Sequence, residues 1–292
     1  MIELRSDDLT AGLVPEIGGS LAWFRKGGID LMRPLGDADR ANSDVLGVAM
    51  FPMVPYANRI ADNAFVFEGR TYRFQPNNPP EKFNVHGSGW HSPWQGEQVS
   101  ASEAVLTLLH LAPSEPYSYF ATQRFRLEPD RLVVTTGIEN RGARRMPFGF
   151  GQHPWFHRDP DTTVAFRADT LWIEGWDNTA SERIATPPEF SFAEPRRLPA
   201  ARRNNCYGSW DGRLDIAWPG RGVGLHVEAD PIFRHLMFYA DPARPVFCIE
   251  PQTNVVCAFN MAPPEDAYDL GIIVLAPGEG ASGTVTFQAT AV

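Results

Sequence analysis

Apolar and polar residues alternate with a period of two along most of the chain. Residues 104–111 set Val105, Thr107, Leu109 and Leu111 on one face, and 132–138 do the same with Leu132, Val134, Thr136 and Ile138. Near the C-terminus Val285, Phe287 and Ala289 alternate with Thr284, Thr286, Gln288 and Thr290. A strand with one buried face gives this pattern, because successive side chains point to opposite sides. Phe65-Val66-Phe67, Glu68-Gly69-Arg70 and Thr71-Tyr72-Arg73-Phe74 predict a hairpin with glycine at its turn. Helical spacing is nearly missing, and residues 37–47 predict one short helix at most. Turn signals recur at intervals of about 8–15 residues, so the expectation is an all-β chain folded as a large antiparallel β-sandwich with few short helices. No fixed-period repeat or low-complexity block interrupts it. The Pro-rich stretch 186–199 reads as a long loop, and residues 1–292 as one domain.

Composition narrows the function. Of 292 residues, 25 are Gly and 26 Pro, a density that favours turns over long helices. A hydrophobic share of 43% is enough for a sizeable core. Net charge is −9, and the pairs Arg144-Arg145, Arg196-Arg197 and Arg202-Arg203 are scattered among Pro and Ala. They read as solvated loop charges, so no nucleic-acid surface is expected. Cys206, Cys248 and Cys257 are odd in number and form no CxxC, which points away from a disulfide framework or thiolate zinc site. The polar start MIELRSDDLT is unlike a signal peptide, and the apolar stretch 45–57 is too short to span a bilayer. A cytoplasmic protein without membrane partners is the expectation.

Two motif-like patterns dissolve on inspection. Gly278, Gly280 and Gly283 match GxGxxG, but the few residues after them alternate as a strand where a dinucleotide site needs a helix. They read as a loop between strands. His153 and His157 have metal-ligand spacing only on a helix, and Pro154 argues against one.

Four segments place polar groups where a strand core would rather have none. Pro55-Tyr56-Ala57-Asn58-Arg59-Ile60 sets a polar pair between apolar runs, as a binding loop or an ordinary capped loop would. In Asn84-Val85-His86-Gly87-Ser88-Gly89-Trp90, small residues allow close approach to a ligand and Trp90 offers a stacking face, although a Gly-rich hairpin would read alike. Phe148 to Phe156 holds His153 among aromatics, with Pro154 forcing extended backbone. An imidazole can donate or accept a proton near neutral pH, while a satisfied core histidine is the plainer alternative. In Val246-Phe247-Cys248-Ile249-Glu250-Pro251-Gln252-Thr253, Glu250 ends a strongly apolar strand. Burial without a partner would raise its pKa toward the range of a general base, and an ion pair with an arginine would lower it.

Together these segments resemble the aldose 1-epimerase (galactose mutarotase) family. The resemblance rests on NRI at 58–60 with the EGRTY hairpin after it, HG at 86–87, GQHPWF at 151–156, EPQT at 250–253 and LAPGE at 275–279. Each is weak alone, but five in the family's order from about residue 14 onward make a specific signal. The resemblance implies a galactose mutarotase-like supersandwich that interconverts the α and β anomers of a free sugar, with no cofactor and no metal. It implies that Glu250 is the general base on the anomeric hydroxyl and His153 the general acid on the ring oxygen. Arg59 and His86 would hydrogen-bond the sugar, His86 helping to polarise the ring oxygen. Asn58, Asn204, Trp155 and Gln252 complete the expected contacts, and the protein would act as a monomer or homodimer.

Mutarotation asks for nothing beyond these residue types. One proton leaves O1, another arrives at the ring oxygen, and C1 becomes an aldehyde that can rotate and close again. An acid and a base on opposite sides of the ring would suffice, each contributing on the order of 10²–10⁴. Two departures stand out. The family's usual sugar-contacting Asp is replaced by an amide, Asn204, which can both donate and accept but carries no charge. The usual Tyr after His-Pro is Trp155, which keeps a stacking face and loses a hydroxyl. A hexose-6-phosphate 1-epimerase, needing convergent arginines for a dianion, and a non-catalytic sugar-binding or sensor protein on the same fold are the competing readings.

Overall fold

The computed structural model describes residues 1–261 and 270–292. About 55% of the chain is strand and about 10% helical. The described α-helices are two short ones, Asp37–Ala41 and Ala258–Met261. The expected short helix in 37–47 is thus Asp37–Ala41, followed by a single 3-10 turn at Val45–Gly47. No described helix is long and apolar enough to cross a membrane.

Every described strand pairing is antiparallel, and the strands form two runs that share one long strand. The first run passes from Leu9–Val14 through Ser20–Lys26, Met50–Met53, Gly151–His157, Val246–Gln252 and His235–Ala240. The second passes from Gln95–Ser100 through Glu103–Leu111, Ser118–Leu127, Arg131–Asn140 and Gly280–Ala291 to Val223–Ala229. Arg203–Trp218 joins them. Its first half, Arg203 to Gly208, pairs with His235–Ala240, and its second half, Arg213 to Trp218, pairs with Val223–Ala229. Between the halves Ser209 and Gly212 take positive φ, at 52° and 82°, which turns the strand from one layer into the other.

Two polar links tie the layers inside the core. Gln152 Nε2 donates to Gln123 Oε1 at 3.2 Å and to Thr136 Oγ1 at 2.7 Å, and Gln123 Nε2 donates to the Gly19 carbonyl at 2.7 Å. All three side chains are buried, and each donor meets an acceptor, as a low-dielectric interior requires.

The alternation fixes the strands more reliably than it fixes which face is inward. In Arg131–Asn140 the buried set is the expected Leu132, Val134, Thr136 and Ile138, and in Gly280–Ala291 it includes Val285, Phe287 and Ala289. In Glu103–Leu111, however, Ala104, Leu106 and Leu108 point inward, while Leu109 and Leu111 are exposed. Apolar residues on both faces made the period blind to direction there. The hairpin is Ala64–Phe67 with Arg70–Arg73, joined by Glu68 and Gly69, both at positive φ, the twist that matches paired strands. The stretch 186–199 is less irregular than its prolines suggest. It holds a strand, Phe192–Arg197, at the margin of Thr163–Glu174, with Pro195 inside it. The three cysteines are free and buried. Of the expected loop glycines only Gly278 lies in a turn, at φ 80°, while Gly280 and Gly283 belong to the last strand, which begins earlier than the loop reading allows.

Candidate active site

The site grows from two rows of side chains that cross the first run of strands. Gly151 stands opposite Gln252 and Trp155 opposite Cys248, so the same register sets His153 opposite Glu250. On either side, Phe51 faces His153 and Met237 faces Glu250. Directly opposed residues share a face, so Phe51, His153, Glu250, Met237 and Cys206 form one row. Trp155, Cys248, Tyr239 and Asn204 form the next. Prolines after His153 and Glu250 hold both backbones extended.

Within the first row His153 Nε2 lies 3.2 Å from Glu250 Oε1. Phe51 stacks on the imidazole with centroids 4.3 Å apart and planes at 22°. Glu250 is 3% exposed and His153 8%. Loss of water pushes the Glu250 carboxyl up to about 8, opposed by the Arg59 charge. The same burial, aided by Arg33 and Arg59, pulls His153 down to about 3. One proton therefore resides on the pair near neutrality. Glu250 Oε2 and His153 Nδ1 are buried without a hydrogen-bond partner among the described residues. The two groups expected as acid and base stand side by side on one wall rather than on opposite walls.

A second wall comes from two loops locked to each other. Asn58 and His86 both adopt left-handed backbone, at φ 62° and 58°. The His86 amide donates to the Asn58 carbonyl at 2.8 Å, and the Asn58 amide donates to His86 Nδ1 at 3.0 Å. With Nδ1 accepting, the ring hydrogen sits on Nε2. Burial, with His153 and Arg59 nearby, pushes His86 well below its usual range, so a neutral Nε2–H donor remains. Gly87 takes φ 69°, and a Cβ there would strike the Pro55 ring. Arg59 grips Glu81 through Nε at 3.1 Å and Nη2 at 3.0 Å, and its Nη1 reaches Asn58 Oδ1 at 3.3 Å.

These walls enclose a cavity of about 380 Å³. Glu250, His153, Arg59, His86, Asn58, Asn204 and Trp155 all line it, so seven of the eight expected residues meet there. Gln252 does not. It faces the same way as Glu250 but one row further along, where it is fully buried and directs Nε2 at Cys206 Sγ, 3.4 Å away. Trp155 carries Arg33 on its ring at 4.8 Å. Asn204 has its amide nitrogen committed to Glu174 Oε1 at 2.6 Å, which leaves only its oxygen open and corrects the expectation of an amide that both donates and accepts. Sequence reasoning missed Phe51, Glu81, Arg202, Tyr239 and Arg244 in the lining. Phe51 looks like any strand residue, and the others gain meaning only from register or loop approach.

A larger cavity of about 610 Å³ lies behind the loop carrying His86. Its own His110–Glu115 pair, 2.9 Å apart, leaves the carboxylate half exposed, where Glu250 is buried. His153, Cys248 and Glu250 also bring three donor atoms within 4.8 Å. They suit a metal poorly. Burial and the neighbouring Glu250 push the Cys248 thiol well above its usual range, disfavouring the thiolate, while His153 and Glu250 spend their facing atoms on each other.

The family model for aldose 1-epimerase matches residues 1–288. The chain belongs to the aldose 1-epimerase family. It is 33% identical over 285 residues to the uncharacterized protein YphB of Escherichia coli K12, covering 94% of each chain. A crystal structure of an Escherichia coli K12 protein provisionally named an aldose 1-epimerase superposes with a TM-score of 0.91 at 30% identity, over 99% of this chain and 98% of that one. A galactose mutarotase-like protein of Clostridium acetobutylicum has the same fold, with a TM-score of 0.84 at 18% identity over 99% and 95% of the two chains.

Proposed function

We propose that the protein is an aldose 1-epimerase that opens and recloses the ring of a free aldose. The observation that carries this reading is the buried His153–Glu250 pair, 3.2 Å apart, on one wall of a sugar-sized cavity. A bound aldose places its anomeric oxygen and ring oxygen at the pair, replacing their mutual hydrogen bond. The shifts rest the pair's proton on Glu250, and its transfer to His153 gives carboxylate and imidazolium. From that form Glu250 takes the proton of O1 while His153 gives one to the ring oxygen, and the C1–ring oxygen bond breaks. Rotation about C1–C2 and the reverse transfers yield the other anomer. The Nε2–H of His86 and the remaining Arg59 donors orient the ring and steady charge developing on its oxygen.

The charges in the cavity favour a neutral sugar over a phosphorylated one. Arg59 is answered by Glu81 and Arg202 by Glu174, so two of three lining guanidiniums are already paired. Among the described residues that leaves Arg244 as a single open cation in the lining, where a phosphate dianion calls for several convergent donors. Retention of both the acid and the base speaks against a sugar sensor without turnover. The test is polarimetry on freshly dissolved α-D-glucose and α-D-galactose, beside a coupled assay on their 6-phosphates. Faster relaxation of the free sugars is expected. Acceleration confined to the phosphates would overturn the free-sugar assignment.

A further inference from the structure

Asn204, Glu174 and Arg202 form a hydrogen-bonded unit, of which Asn204 and Arg202 line the cavity. The register that sets Trp172 opposite Cys206 continues to place Glu174, the last residue of Thr163–Glu174, opposite Asn204. Glu174 thereby extends the row Trp155, Cys248, Tyr239, Asn204. Its Oε1 accepts from Asn204 Nδ2 at 2.6 Å. Arg202 clamps the same carboxylate with Nη1 on Oε2 at 2.8 Å and Nη2 on Oε1 at 3.0 Å, and also reaches Asn178 Oδ1 at 3.1 Å.

The chemistry of these partners leaves the amide one orientation. A carboxylate can only accept, and the second neighbour of Nδ2, Asn178 Oδ1 at 3.4 Å, is an acceptor as well. Turning the amide over would set oxygen against oxygen at both contacts. Asn204 lines the cavity, and its Oδ1 has no partner among the described residues.

We infer that Glu174, held by Arg202, locks Asn204 as an acceptor-only contact for a sugar hydroxyl. The inference rests on the epimerase reading and deepens it. Glu174 is a positioning residue, because it reaches the sugar only through Asn204. The charge and the amide at these two positions form an ordered pair, amide toward the sugar and carboxylate behind. An aspartate at 204 would set two carboxylates at hydrogen-bond distance, a like-charge contact that costs ionisation or separation. Exchanging both residues restores the bond with its polarity reversed and again leaves an oxygen facing the sugar.

The experiment is a double-mutant cycle of Asn204→Asp and Glu174→Gln, read in KM and kcat for the best free aldose and in Tm. Asn204→Asp alone is expected to raise KM at least tenfold, with the loss falling mainly in KM, and to lower Tm. Glu174→Gln alone frees the amide to turn and raises KM several-fold. The double variant is expected to return to within about threefold of the original KM and to regain Tm. Equal effects of Asn204→Asp in both backgrounds, in KM and in Tm, would overturn the lock. Failure of the epimerase reading looks different: the unaltered protein would then turn over no aldose, while the thermal cycle would still decide whether positions 174 and 204 are coupled.

Discussion

At the scale of single residues, the chemistry rests on one proton shared by two buried groups. Glu250 titrates at about 8 and His153 at about 3, so between those limits the pair holds a single proton. The reacting form, carboxylate with imidazolium, has that same proton count, so its share of the protein does not change with pH across the window. Above about 8 the proton leaves, and the acid is lost. Below about 3 a second proton arrives and the base is blocked. The expected kcat/KM is level from pH 5 to 7 and falls roughly tenfold per unit above about 8. A kcat/KM that instead rises through pH 8 would mean that the acid is not His153. The tuning has a stability cost. Glu250 is raised from 4.5, so the folded state keeps a proton that the unfolded chain releases between pH 4.5 and 8. His153, lowered from 6.5, offsets this between pH 4.5 and 6.5. The pair's contribution to stability therefore falls only as pH rises from 6.5 to about 8, on the order of 2 kcal/mol in all. Glu250 and His153 were legible in the sequence because each interrupts an apolar strand next to proline. Gln252 misled for the same reason. It shares their face and polarity, and only the row it occupies separates a cavity wall from a sealed core.

At the scale of elements, the strand Arg203–Trp218 does two jobs. Its first half carries Asn204 into the cavity, and its second half belongs to the other layer. Neither run can lose its partner without opening this strand, and the Gln152–Gln123–Thr136 bonds cross the same interface. We therefore expect one cooperative thermal transition, with calorimetric and van't Hoff enthalpies agreeing. Two resolved transitions would contradict a single folding unit over 1–292. The alternation exposed most strands, since a residue's face follows from parity alone. It could not orient Glu103–Leu111, where leucines stand on both sides, nor identify Gln152 as a link between layers. Such facts depend on which strand lies across the core, and parity along one strand carries no information about its opposite.

At the scale of the molecule, the proposed neutral sugar gives the net charge of −9 no direct part in recognition, and that reading leaves the work to a cavity whose charges are largely paired internally. Register brings Phe51, His153, Glu250 and Met237 into one row from four strands, and two loops at positive φ add His86 and Asn58. The five motifs anticipated where most of these groups would meet. The supporting shell of Glu81, Glu174 and Arg202 carries no motif, because its value lies in holding other residues still. The proposed mechanism turns on Glu250 as the proton acceptor. The direct test is the rate of α–β exchange of an aldose at equilibrium, read by two-dimensional exchange NMR for the unaltered protein and for Glu250→Gln. The account predicts exchange well above the buffer rate for the former. It predicts a loss of at least 10³-fold for the variant, on the order expected for a removed acid–base group, with Tm at neutral pH unchanged or raised. Exchange persisting in Glu250→Gln at the rate of the unaltered protein would contradict it.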